Sequence, residues 1–119
     1  MTALQLPNRH LYAIKPVGLP GPIKLGCSMM PETRLRALAA WSPIPLEIVA
    51  RVPGTTQDEA ALHELLRADR THGEWHRPSS AVQGVVRSMA QGQPPRAFIP
   101  DRFFDARNRT RREPVGATA

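Results

Sequence analysis

The chain has 119 residues, 41% of them apolar and 5% aromatic, a single cysteine, and a formal net charge of +6. The lone cysteine excludes an internal disulfide framework and a multi-cysteine zinc centre, and no run of about 18 apolar residues is present to cross a bilayer. Arginine supplies nearly all the positive charge, 14 residues against 2 lysines, and its planar fork suits phosphate; a polyanionic partner is favoured, although arginine-rich codon usage would give the same composition.

A chain of this length makes one domain with room for a tail. Its start, MTALQLPNRH, lacks the basic and apolar stretches of a secretory leader, so the expected location is the cytoplasm. Residues 9–15 suit a strand, with Leu11, Tyr12 and Ile14 on a pleated surface. Gly18, Pro20, Gly21 and Pro22 then force a turn, and a second strand at about 22–28 returns antiparallel to the first. Pro31 and Glu32 fit the first turn of a helix that runs to Trp41, with Leu35, Leu38 and Ala39 inward, before Pro43 stops it. Residues 45–52 place Leu46, Ile48, Ala50 and Val52 on one face of a half-buried strand.

Thr55 or Thr56 opens a second helix, with Asp58 and Glu59 in its first turn and Ala61, Leu62, Leu65 and Leu66 inward, reaching about Arg70. Residues 71–78 read as a turn. Ser79 or Ser80 caps a third helix over about 80–90, burying Val82, Val85, Val86 and Met89. The expected architecture is α+β: a three-stranded antiparallel sheet with flanking helices, in the order β-β-α-β-α-α, over residues 9–90. Residues 91–119 read as a basic, Pro/Arg-rich flexible tail, with a candidate docking patch at Phe98-Ile99 and Phe103-Phe104.

This order of elements resembles the GIY-YIG nuclease superfamily, most closely its small phage- and prophage-associated branch. His10-Leu11-Tyr12 stands where the family has Gly-Ile-Tyr, Lys24-Leu25-Gly26 where it has Tyr-Ile-Gly, and Arg34 follows Gly26 by eight residues as in family members. Arg34-Leu35-Arg36-Ala37-Leu38, Pro43-Ile44-Pro45-Leu46, Glu59-Ala60-Ala61-Leu62-His63 and Gly73-Glu74-Trp75 continue the branch pattern over residues 10–78. Two departures bear on activity: Lys24 replaces the family's second tyrosine, and Leu38 stands where an aromatic or histidine is frequent.

The resemblance implies a DNA endonuclease of phage or mobile-element origin that uses Mg2+ or Mn2+. Under it, Tyr12 takes the water's proton or positions it, Arg34 stabilises charge on the phosphate, and Lys24 contacts a phosphate oxygen or lowers the Tyr12 pKa. Glu74 and Glu64 compete as the metal-binding carboxylate. Arg36, Arg77, Arg107, Arg109, Arg111 and Arg112 would grip nucleic acid, DNA foremost and RNA as a second possibility.

Taken singly, a strand tyrosine is ordinarily a core aromatic, a helix arginine ordinarily solvated, and Glu64 ordinarily an ion-pair partner of Arg67. His63, His72 and His76 match no zinc spacing, and Cys27 reads as a small buried apolar residue. The competing functional expectation is a catalytically inactive nucleic-acid-binding module on the same fold; a third is a protein-interaction factor with a basic arm. Sequence-specific cutting by so small a domain would call for a dimer or a partner protein.

Overall fold

The computed structural model of the chain describes residues 8–105. β1 (His10–Pro16) and β2 (Ile23–Ser28) form the expected antiparallel hairpin, with Leu11 opposite Cys27 and Tyr12 opposite Gly26. Strand alternation sorts their side chains: Leu11, Ala13, Ile23 and Leu25 enter the core, while Tyr12, Ile14, Lys24 and Gly26 share the other face. α1 (Pro31–Ala39) covers that second face, with Pro31 buried and Leu35 and Leu38 half-buried at i, i+4 and i+7. Its Glu32 pairs with Arg51 on the neighbouring strand. The helix stops two residues before Trp41, which is 91% exposed.

β3 (Leu46–Pro53) flanks β1 on its free side, but its apolar residues do not share one face as the alternation suggests. The register slips between Ala13 and Ile14, so Ala50 stands opposite Ala13 while Ile48 stands opposite Ile14. A β-bulge of this kind reverses the pleat. Ala50 and Val52 therefore join the core, and Ile48 joins Ile14 on the α1 side.

The sheet has five strands rather than three, in the order β3-β1-β2-β5-β4. The stretch expected as a turn contains β4 (Arg70–His72) and β5 (Trp75–His76), joined through Gly73 at a φ of 56° that favours glycine. β5 pairs with β2 at Ile23 and Lys24. The other face of the sheet carries α2 (Thr56–Leu65) and α3 (Ser80–Ala90), which contribute Ala61, Leu62, Val82, Val85 and Met89 to the core.

Thr55 caps α2 with a reciprocal box: its hydroxyl accepts from the Asp58 N–H, and Asp58 accepts from the Thr55 N–H. α2 ends at Leu65, and a 3-10 turn (Arg67–Asp69) occupies the remainder of the expected helix. From Gln91 to Asp105 the chain is packed in part onto the domain. α4 (Pro95–Phe98) and a 3-10 turn (Asp101–Phe104) bring Ile99 and Phe103 into the core at 1% and 6% exposure, so the candidate patch is docked. Arg107, Arg109, Arg111 and Arg112 lie outside the described residues. Among the described residues no helix is long and apolar enough to cross a membrane.

Candidate functional site

β5 is only two residues long and pairs with the first half of β2, so the stretch from Gly26 onward has no strand beside it on that side. Tyr12 stands opposite Gly26 on the neighbouring strand. Its ring lies directly over Gly26: a Cβ added there would fall 2.6 Å from the Tyr12 Cζ, well inside van der Waals contact. Tyr12 is 1% exposed. Burial, joined by the charges of Glu74 and Glu59, raises its pKa above 10.0, and the nearby Arg34 guanidinium opposes that rise by hydrogen bonding and charge. At neutral pH the phenol is therefore intact.

Lys24, on the same face, is 7% exposed and donates to Glu74 Oε1 at 2.7 Å. Burial pushes the Glu74 carboxyl up, but the Lys24 hydrogen bond, helped by Glu59 and His63, more than offsets it, and the group sits below the ordinary carboxylate value. The backbone of Glu74 is fixed as well: its carbonyl accepts from the Leu25 N–H and from His76 Nδ1, both at 3.0 Å. His76 itself is fully buried, and burial lowers its pKa, so it serves this carbonyl as a neutral imidazole.

α2 brings two more groups to Glu74. Glu59 and His63 stand one turn apart on one face of the helix, and ligand atoms of Glu59, His63 and Glu74 all lie within 4.8 Å of one another. His63 Nε2 is buried without a hydrogen-bond partner, 3.6 Å from Glu59 Oε2, and the ring stacks on His76 at 5.2 Å. Two carboxylates and an orphaned imidazole nitrogen at this separation fit the donor set of a divalent cation. They border an open groove of about 310 Å³ that Thr56, Arg70 and Gly73 complete.

Of the sequence candidates, Tyr12, Arg34, Lys24 and Glu74 come together here. Glu64 does not join them; it faces Arg67 at 3.6 Å, the i,i+3 pair that its spacing suggests. Arg36 is exposed beside Thr33, and Arg77 is tied to the Ala68 carbonyl. From the sequence, His63 is weighed only against zinc spacings and Glu59 is passed over as a ligand, whereas the fold brings both to Glu74. Their signal was the i,i+4 carboxylate–imidazole spacing inside the Glu-x-x-Leu-His stretch.

Cys27 is half-buried, its thiol pushed up to about 11 chiefly by burial and then by Glu59, which removes it as a nucleophile at neutral pH. Compared with protein-family profiles, with curated proteins and with solved structures, the chain matches none.

Proposed function

We propose that this chain is a metal-dependent endonuclease of the GIY-YIG type, hydrolysing phosphodiester bonds of DNA. One observation carries the reading: Glu59, His63 and Glu74 present ligand atoms within 4.8 Å of one another, next to the Lys24 ammonium and the Tyr12–Arg34 pair. The carboxylates and the imidazole line the groove, and the Lys24 ammonium joins them through Glu74; with the phenol and guanidinium behind, these are the groups that phosphoryl chemistry needs.

In this reading Glu59 and Glu74 hold Mn2+ or Mg2+ through oxygen and His63 holds it through Nε2. A cation held there would supply Lewis acidity toward the phosphate and would make a bound water a stronger acid. Arg34 directs its planar donors at the charge that builds on the phosphate oxygens. Lys24, held by Glu74, lies within reach to donate to a further phosphate oxygen. The neutral Tyr12 hydroxyl orients the attacking water. Attack forms the water oxygen–phosphorus bond as the ester P–O bond breaks; the water gives up one proton to solvent and the leaving oxygen takes one from solvent, giving a phosphate end and a hydroxyl end.

A rival reading, nucleic-acid binding without cleavage, draws on the 1% exposure of Tyr12, which leaves little of its hydroxyl for substrate. Cleavage of supercoiled plasmid with Mn2+ or Mg2+, wild type beside Arg34→Ala, separates the two. The expected result is cleavage abolished by EDTA and by the substitution, with DNA affinity largely kept. Salt-sensitive binding with no cleavage by either protein would replace the nuclease with the binding module. An RNA of matching sequence, run alongside, reports the sugar preference.

A further inference from the structure

α1 carries more than Arg34. Arg34 and Ala37 share one flank of the helix, with Met30 at its N-cap and Trp41 two residues past its last turn. The opposite flank is committed, through Glu32, to Arg51 of β3. Although α1 ends at Ala39, Ala40 keeps helical angles (φ −61°, ψ −26°), and the Trp41 N–H donates to the Leu38 carbonyl at 3.1 Å. The helix thus closes on a tightened final turn that sets Trp41 just past its end.

Trp41 is 91% exposed and Met30 is 60% exposed, one at each end of the helix that carries Arg34. An indole left so fully in water keeps its large apolar faces unused within the described residues. One cation shares its side of the helix: Arg34 is exposed there, while Arg36, also exposed, lies on the far side toward Glu32. An aromatic face with a guanidinium on the same side complements a strand of nucleic acid, with bases to stack and phosphates to neutralise.

We propose that Trp41 is a stacking platform for an unpaired nucleobase, and that the substrate class is nucleic acid with an unstacked nucleotide close to the phosphate held at Arg34. The inference rests on the reading of Arg34 as the phosphate contact. Seven residues at 1.5 Å each put Trp41 roughly 10 Å from Arg34 along the helix. A stacked strand advances about 3.4 Å per nucleotide, so the base on Trp41 lies within about three nucleotides of that phosphate. Both faces of a base inside a duplex are already covered. Trp41 can take one only from a single strand, a bulge or a flipped position.

Titration of intrinsic fluorescence in EDTA at fixed salt tests this without any cleavage. The probes are a short single-stranded DNA, the same sequence as a fully paired duplex, and that duplex with one bulged nucleotide. The expected result is quenching of the wild type by the single strand and the bulged duplex. Trp41→Ala loses that quenching and about tenfold in affinity for those two probes, while its affinity for the paired duplex is unchanged.

Equal binding of all three probes by wild type and Trp41→Ala overturns the proposal. So does wild-type emission that follows protein concentration instead of DNA, which would assign the flank to a second copy of the chain. The nuclease reading fails separately, by absence of metal-dependent cleavage on every one of these probes. Because the titration needs no turnover, either result can stand without the other.

Discussion

At the scale of single residues, the neighbours of a carboxylate decide what it can do. Glu64 and Glu59 sit on one helix, yet Glu64 faces Arg67 while Glu59 meets His63 and Glu74. Glu59→Gln is therefore expected to abolish Mn2+ binding by calorimetry and, with it, cleavage; Glu64→Gln should leave both near wild type. An equal loss in the two variants would place the cation elsewhere.

His76 gives a second residue-scale expectation. Its pKa is lowered in the fold from the usual 6.5, chiefly by burial. Below pH 6.5 the unfolded chain takes up a proton that the folded chain resists, so stability falls with pH from there until the folded pKa is reached, and then levels. Glu74 adds a later loss: its depressed carboxyl contributes stability above the ordinary 4.5 that disappears as pH drops through its folded value. Urea midpoints measured between pH 7 and pH 5 should show the first loss in wild type and not in His76→Gln, whose amide can still donate to the Glu74 carbonyl.

At the scale of elements, the hairpin and α1 build the site by leaving one position without a side chain. Gly26 is the floor on which the Tyr12 ring rests. Gly26→Ala is expected to cost about 1–3 kcal/mol of stability through overpacking, read as a lowered urea midpoint, and to suppress cleavage by displacing Tyr12. Retained cleavage at wild-type stability would mean that the ring can shift without harm.

The elements also mark how far the sequence could be read. The β1–β2 hairpin and α3 follow from apolar spacing bounded by Gly, Pro and Ser, signals that sit within a few residues of what they predict. β4 and β5 carry no such signal: Arg70–His72 is exposed throughout, and strand pairing there is set by contact with β2. The bulge in β3 is equally silent, because alternation continues through it while the pleat does not. Glu59 went unread as a ligand because its partner Glu74 lies in that same polar hairpin, and only the folded sheet brings the two together.

At the scale of the molecule, charge sets the terms of any encounter with nucleic acid. The net +6 predicts binding that weakens steeply with salt. Deleting residues 106–119 removes Arg107, Arg109, Arg111 and Arg112. If these neutralise phosphates, the slope of log affinity against log salt should flatten by about 3 to 4 on duplex DNA, at about 0.9 per phosphate contact. An unchanged slope would assign the grip to the folded domain alone.

The packing of Ile99 and Phe103 has a consequence for how the protein comes into being. These side chains fill the core shared by α2, the helix that holds Glu59 and His63. With Phe104 they are the last described apolar residues of the chain, lying beyond every residue that lines the groove. A nascent chain halted before Pro95 would own the full set of site residues with the interior beneath α2 still open. Completion of the hydrophobic interior, and not the appearance of the final ligand, then times the moment at which the groove becomes competent. Under the proposed nuclease reading, the groove stays incomplete until residues 99–103 have been added and packed.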